Sequence, residues 1–241
     1  MVSMVLSLLL TISGSTVLNM WYDHDIDKVM DRTHHRPLSE GHISQKNALI
    51  FGISLSTAGV VMGLILSPLY GIILLAGIFF DAVVYTVWLK RKTCWSIVWG
   101  GFAGGMPILA GRALGLGRLD EIGFLLALSV IFWIPTHILT FNMRYAKDYA
   151  AAKIPTFPST YGHDVTRKVI AFSSIIAGAL ISSAAILIEI QQSFLYTLGI
   201  LSGGLMIWAF LMMVKPSNKV NFGLFKYASV YMLAVMVLLA L

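Results

Sequence analysis

Apolar runs of membrane-spanning length recur along the chain, and they limit what it can fold into. Eight such runs occur, each of about twenty residues, at 1–18, 48–66, 69–87, 95–111, 121–141, 169–188, 193–214 and 222–241. About twenty helical residues are needed to cross the hydrocarbon layer of a bilayer, whereas barrel strands give shorter, alternating segments. The pattern predicts an all-α, polytopic membrane helix bundle of about eight transmembrane helices, forming one integral-membrane domain over 1–241.

The distribution of basic residues predicts the orientation in the membrane. If the connection after the first run is cytoplasmic, fifteen of the seventeen lysines and arginines lie on the cytoplasmic side, and only Arg112 and Arg118 do not. An excess of basic residues is typical of cytoplasmic loops. We therefore expect a multi-pass protein of the cell (plasma) membrane. The net charge of +6 comes mainly from basic residues in these cytoplasmic connections. It therefore reflects the orientation in the membrane and indicates no nucleic acid partner.

An acidic segment follows the first run directly. Four carboxylates fall within nine residues of a chain that is otherwise sparsely charged, and Asn19, Asp23, Asp27 and Asp31 step by four, so that on a helix they form one stripe. Like charges at this spacing repel each other unless a cation neutralises them. Mg²⁺ prefers oxygen ligands and often shares them with substrate phosphates, so the stripe predicts a metal–diphosphate site. Asp25 lies off the stripe, and we expect it to bind an arginine.

A second acidic position lies on the same predicted face, after the fifth run. Asp148 is flanked by Lys147 and Lys153, while Arg32 and Arg36 follow the first segment. Two acidic centres facing each other could hold two metals, or one metal and a diphosphate, and the bases could stabilise a departing diphosphate. The alternatives are a solvated, charge-balanced helix end for the first segment and a structural salt bridge for the second.

The sequences of these segments resemble those of a known family. The spacing Asn19-x-x-x-Asp23-x-x-x-Asp27 is similar to the first aspartate motif of the UbiA superfamily of intramembrane prenyltransferases. Its continuation, through Arg32-Thr33 and Arg36-Pro37-Leu38, resembles one branch, the protoheme IX farnesyltransferases or haem O synthases. Similar strings recur at 85–92, 100–111, 135–137 and 147–158. The superfamily typically has nine helices, and this chain begins at what resembles the second. Either the chain is shortened, its start is misassigned, or eight helices suffice.

The resemblance also implies an activity and its partners. It implies that a farnesyl group is transferred from farnesyl diphosphate to a vinyl group of haem B, which gives haem O, with Mg²⁺ assisting ionisation of the diphosphate. Farnesyl diphosphate, haem B and the lipid bilayer are then the expected partners. Association with haem A synthase or with terminal oxidase assembly is a further expectation.

Roles for individual residues follow from the same resemblance. The expected Mg²⁺ ligands are Asp23, Asp27 and Asp148, with Asn19 as a polar ligand or its supporting partner. The expected diphosphate contacts are Arg32, Arg36, Lys147 and Lys153. His137 is expected to approach the haem as an iron ligand or to orient the acceptor, the alternative being a core histidine. Tyr145 and Tyr149 either line the prenyl pocket or anchor the membrane interface.

Two other functions fit parts of the pattern. Prenyl transfer to a quinone-precursor ring or to a glycerol-phosphate lipid would use the same metal apparatus, and only the branch-specific strings argue against it. A cation-coupled transporter would carry acids near the midplane, but in this chain only Asp81 lies deep within a run. An ionisable residue in a span is functional by default because its burial is costly. The alternative is that Asp81 pairs with a neighbouring polar group.

Overall fold

The computed structural model describes residues 1–240, which form helices without any strand. In chain order the helices are α1 (Val2–Tyr22), α2 (His24–Asp27), α3 (Gln45–Leu66), α4 (Pro68–Leu89), α5 (Ser96–Leu116), α6 (Glu121–Arg144), α7 (Ala146–Ala151), α8 (Phe157–Leu187), α9 (Gln192–Val214) and α10 (Asn218–Ala240). All except α2 and α7 are long and apolar enough to cross a membrane. The predicted eight spans are therefore confirmed, and the protein is a multi-pass membrane protein.

Helix α8 differs most from its predicted bounds, because it begins twelve residues before the apolar run. Thr156 accepts a hydrogen bond from the backbone of Ser159, and Ser159 accepts one from the backbone of Thr156. This reciprocal cap stabilises a helix start among polar residues. Gly162, at φ 80°, then breaks the helix before the apolar part begins. Hydropathy alone could not indicate these first polar turns.

The first of two compact units contains Met1–Asp120 together with Lys147–Pro155. Within it, α1 packs on α3, α3 on α4, and α4 on α5. The α1–α3 contact depends on small residues: a Cβ atom added to Gly59 would lie 2.6 Å from the backbone nitrogen of Thr11. Lipid gives little hydrophobic drive for helices to associate, so close backbone approach through small residues holds them together.

The second half of α4 is a π-helix, Phe79–Leu89. The backbone N–H of Lys90 donates to the carbonyl of Tyr85, five residues back, at 2.8 Å. π-Helical turns are rare and often occur at functional sites. The wider turn changes which side chains of α4 share one face, and so changes which of them can meet the polar residues of α1.

The second unit contains Glu121–Ala146 and the chain from Thr156 onward. Its four spans pack in a ring, with α6 on α8, α8 on α9, α9 on α10, and α10 on α6. Buried hydroxyls join neighbouring helices: Thr136 with Ser174 at 2.7 Å, and Ser202 with Tyr231 at 3.0 Å. The boundary at Asp120 falls between the fourth and fifth spans.

Replacing Gly59 by alanine should push α1 away from α3, because the new methyl group would overlap Thr11. We expect a loss of about 1–3 kcal/mol, the usual cost of overpacking, measured as a lower thermal unfolding temperature in detergent. Gly199→Ala on α9 is the matched control, since a Cβ there meets no atom within 4 Å. Equal unfolding temperatures for the two variants would show that the α1–α3 contact is not limited by Gly59.

Candidate functional site

The acidic segment does not continue as one helix. Helix α1 ends at Tyr22, and Asp23, at φ −93° and ψ 9°, separates it from the four-residue α2. The backbone N–H of Asp27 still donates to the carbonyl of Asp23 at 2.8 Å, so these two acids remain one turn apart. Asp31 lies beyond α2 in a turn and is exposed. The expected stripe is thus wrong at Asp31, because the helix that would carry it has ended.

Asp23 and Asp27 are both buried, with 3% and 4% of their surface exposed. Each is paired with a base. Lys90 donates from Nζ to Asp23, and Arg36 donates from Nη1 to Asp27 Oδ2 at 2.6 Å. Buried charges persist only when they are paired or hydrogen-bonded. These two acids therefore depend on Lys90 and Arg36 for their charge.

The Lys90 ammonium remains protonated despite its burial. Burial pulls the pKa of Lys90 down, but the nearby Tyr85 and the Asp23 carboxylate outweigh it, and the net pKa is raised. A raised lysine pKa keeps the positive charge at neutral pH. Lys90 is therefore the counter-ion of Asp23 in this structure.

Asp25 lies outside this buried pair. Its two carboxylate oxygens accept from Arg91 at 2.8 and 2.7 Å, and this hydrogen bonding, more than any other effect, lowers the pKa of Asp25. Arg91 also donates to the carbonyl of Tyr22 at 2.8 Å and lies 3.7 Å from Asp23 Oδ1. The prediction that Asp25 binds an arginine is confirmed.

A ladder of polar contacts joins α1 to the π-helical half of α4. Ser15 donates to Asp81 at 2.6 Å, Thr86 donates to Asn19 at 2.7 Å, and Lys90 donates to Asp23. The α1 partners are spaced by four residues, as one face of an α-helix requires. The α4 partners are spaced by five and four, which suits the wider π-helical turn. Of the two alternatives for Asp81, the structure shows the pairing with a neighbouring polar group, and Ser15 is that partner.

Residues 147–155 lie against the acidic segment within the same unit. Ile154 packs with Ile26 and Met30 in a small apolar cluster, and Tyr149 and Ala152 cover it. Burial raises the pKa of Tyr149, whose hydroxyl also lies within electrostatic reach of Tyr85, Arg32, Lys90 and Asp148. The structure therefore brings the second motif close to the first.

Two carboxylate oxygens at this place have no hydrogen-bond partner although they are buried: Asp23 Oδ1 and Asp148 Oδ2. Such orphaned acceptors suit a hard cation. No three His, Cys, Asp or Glu side chains within residues 1–240 come close enough to hold a metal ion by themselves. A cation at this place would need further oxygens from water or from a substrate, and Mg²⁺ commonly binds in that way.

The other predicted diphosphate contacts are exposed. Arg32 lies in the turn after α2, and Lys147 lies on α7. Lys153 has a positive φ of 54°, which is uncommon for a residue with a side chain. It borders, with Asp25 and Arg91, a depression of about 380 Å³ beside the acids.

An apolar cavity lies between the membrane helices of the first unit. Its volume is about 330 Å³, and Ser15 and Asp81 are among its few polar lining residues. Gly100 and Gly104 of the glycine-rich α5 also line it. The small residues therefore leave open space at this position, in addition to allowing helices to pack.

His137 and Tyr145 both lie in the second unit. The His137 ring stacks between Trp133, at 5.0 Å, and Phe225, at 4.6 Å. Its Nδ1 lies 3.1 Å from the Ser229 hydroxyl. Tyr145 contacts Phe141 at 4.5 Å.

Sequence reasoning did not assign Lys90, Ser15 or Thr86 to the site. Lys90 lies in the basic string at 85–92. Its positive charge counts toward the predicted orientation in the membrane, and that pattern gives it no role in the site. Ser15 continues the four-residue spacing backward from Asn19 and could have been found that way. Thr86 depends on the π-helical turn, for which the sequence carries no recognisable signal.

The fold and the motifs have counterparts among known proteins. The family model for the UbiA prenyltransferase family matches residues 1–239. Protoheme IX farnesyltransferases from Archaeoglobus fulgidus, Korarchaeum cryptofilum and Bartonella quintana are 39%, 41% and 43% identical over 79%, 70% and 68% of this chain. The matched segments span 67%, 58% and 53% of those relatives, so the chain matches between about half and two thirds of their length.

Solved structures share the fold at lower identity. A digeranylgeranylglyceryl phosphate synthase superposes with a TM-score of 0.81 at 18% identity, over 99% of this chain and 83% of its own. A UbiA homologue from Archaeoglobus fulgidus, bound to GPP and Mg²⁺, gives 0.67 at 15% identity, over 100% and 87%. Since the family model covers nearly the whole chain and all eight spans match its fold, this chain belongs to the UbiA prenyltransferase family.

Proposed function

We propose that this chain transfers a farnesyl group from farnesyl diphosphate to a vinyl group of haem B, and so makes haem O. One structural observation carries the proposal: Asp23 and Asp27 are buried at the end of a membrane helix, each held by a base. Asp148, in the segment that packs on Ile26 and Met30, has a buried oxygen that accepts no hydrogen bond. The choice of acceptor is supported by relatives named protoheme IX farnesyltransferase at 39–43% identity.

Asp23, Asp27 and Asp148 are the residues that would hold Mg²⁺. When bound, Mg²⁺ supplies positive charge that stabilises the diphosphate as a leaving group. The buried oxygens Asp23 Oδ1 and Asp148 Oδ2 fit this role, because neither accepts a hydrogen bond. Asn19 accepts from Thr86, so we assign it to supporting the site from α1.

The bases of the site serve the diphosphate. If Asp23 and Asp27 held a divalent cation, the Lys90 and Arg36 side chains would be available to donate to phosphate oxygens. Arginine binds phosphate in a fixed fork and lysine as a point charge. Arg32, Lys147 and Lys153 are exposed at the same place and would add positive charge.

The apolar cavity of the first unit suits the farnesyl chain. Ser15, on its wall, lies two turns along α1 from Asp23, or about 12 Å by helix geometry. A diphosphate at Asp23 would therefore direct its hydrocarbon chain toward Ile12 and Ile78, which also line the cavity. Apolar walls would exclude water from the allylic cation until it meets the acceptor. Tyr149 lies beside Lys90 and would cover the reacting end.

The acceptor is assigned to the second unit. His137 is proposed to face the haem, and Tyr145, near the end of the same helix, to line its approach. By the basic-residue distribution, the acids face the cytoplasm and the protein belongs to the plasma membrane. We further propose one catalytic domain, and association with haem A synthase or a terminal oxidase assembly, which would receive haem O directly.

Membranes that contain the chain should convert haem B and farnesyl diphosphate into haem O, detected by its mass. The conversion should need Mg²⁺ and stop with EDTA. An aromatic acid and a glycerol-phosphate lipid serve as competing acceptors. Farnesylation of either one, with haem B unchanged, would contradict the proposed acceptor.

Replacing either buried acid should stop catalysis. Asp23→Asn and Asp27→Asn should each lower turnover by about 100-fold or more, because a group that stabilises the transition-state charge is typically worth that much. Asp25→Asn is the matched control in the same segment, since Asp25 is exposed and bound to Arg91; its turnover should change by a few-fold only. Equal losses in all three variants would argue against the division of the acids.

Lys90→Gln should both destabilise the protein and raise the KM for farnesyl diphosphate. Removing one partner of a buried ion pair costs about 3–5 kcal/mol, because the other charge is left uncompensated. Adding Asp23→Asn should restore most of the thermal stability without restoring activity. If the double variant is active, or no more stable than Lys90→Gln, Lys90 is not the counter-ion on which the buried Asp23 carboxylate depends.

A further inference from the structure

A strip of stacked rings runs along α6 and α10 in the second unit. His137 stacks on Phe225 at 4.6 Å, and Phe225 is nearly parallel to Phe222, with centroids 5.8 Å apart and 9° between the planes. The strip thus joins an imidazole within α6 to a ring near the start of α10. Its rings form a continuous apolar series along the two helices.

Two cations meet at the Phe222 end of the strip. The Arg144 guanidinium lies 3.8 Å from the Phe222 centroid, and Lys226 Nζ lies 4.7 Å from the same centroid. Cation–π contacts of this kind place the charges but do not neutralise them. No ion pair joins either one to a carboxylate within the described part of the chain. Two positive charges are therefore gathered on one ring without a counter-anion.

A hydrogen bond orients the His137 ring. Its Nδ1 lies 3.1 Å from the Ser229 hydroxyl, which also lies 2.8 Å from the Phe225 carbonyl. When Ser229 donates its single proton to that carbonyl, Nδ1–H is the donor to Ser229 and Nε2 carries the lone pair. A hydrogen bond at one ring nitrogen commonly orients the other toward a metal.

We propose that Arg144 and Lys226 bind the two propionate carboxylates of the acceptor macrocycle, whose flat face lies along the ring strip with its iron toward His137. The inference rests on the proposed function, because the acceptor is then a haem. A haem is flat and apolar, bears two carboxylates along one edge, and has an iron that takes nitrogen ligands. The apolar ring strip matches the macrocycle, Arg144 and Lys226 match the two carboxylates, and His137 matches the iron.

The spacing along α6 agrees with this assignment. His137 and Arg144 are seven residues apart, or about 10.5 Å along a helix, which is comparable with the reach from a haem iron to its carboxylates. Arg144 also borders an open volume of about 440 Å³, shared with Asn218 and Asn221. A carboxylate can therefore reach the guanidinium without displacing a helix.

A simpler explanation for Lys226 is that its exposed side chain extends toward the membrane interface, as lysines near helix ends commonly do. Likewise, the sole effect of Arg144 could be to stabilise the C-terminal end of α6 by interacting with the helix dipole. Neither explanation involves a carboxylate on the ligand. Esterification of the propionates therefore separates these explanations from the proposal.

The test measures binding of two ligands to the full-length protein in detergent by haem absorbance. Haem B carries free propionates, and its dimethyl ester carries none. Arg144→Gln and Lys226→Gln should each weaken haem B binding by about 10-fold, the usual scale of a charge-assisted hydrogen bond, and leave ester binding unchanged. Lys219→Gln, an exposed lysine in the first turn of α10, is the matched control and should change neither.

Equal weakening of both ligands, or no weakening of either, would overturn the carboxylate assignment. The same wild-type preparation is assayed for haem O, so that the two proposals can fail separately. If haem O forms while the variants bind both ligands alike, the assignment alone is wrong. If the wild type binds neither ligand and makes no haem O, both the proposed function and the carboxylate assignment are wrong.

Discussion

Burying carboxylates at the end of a membrane helix requires positive charge within hydrogen-bonding distance, and the first unit is arranged around that requirement. Asp23 has Lys90 and Asp27 has Arg36. An unpaired charge at either place would cost several kcal/mol, so these acids could not remain buried and ionised alone. A divalent cation held by these acids would supply the same positive charge, and Lys90 and Arg36 could then donate to a phosphate.

The π-helical half of α4 is what delivers Lys90 to Asp23. Its wider turn aligns Asp81, Thr86 and Lys90 with a face of α1 whose polar residues are spaced by four. The resulting ladder runs from the acids into the apolar cavity, where Ser15 and Asp81 lie on the wall. The paired acids and the apolar cavity therefore both depend on the contact between α1 and α4. Disturbing the ladder should affect both.

The sequence alone predicted the eight spans, the division between Asp25 and its neighbours, and the position of 147–155 near the acidic segment. These came from strong signals: apolar runs of helix length, spacing by four, and a local excess of charge. It did not predict that α1 ends at Tyr22 or that Lys90 is a counter-ion. Both depend on the tertiary approach of α4 to α1, and the π-helical register that sets it leaves no periodicity in the sequence. The early start of α8 was missed because capping by Thr156 does not change hydropathy.

Mg²⁺-dependent binding of a diphosphate is the property that follows most directly from the paired acids. It can be measured by titrating the protein with farnesyl thiodiphosphate, a slowly ionising analogue, with and without Mg²⁺. The wild type should bind the analogue tightly only with Mg²⁺, and Asp23→Asn should bind it weakly in both conditions. Tight binding without Mg²⁺ that Asp23→Asn leaves unchanged would contradict the assignment of these acids to a metal–diphosphate site.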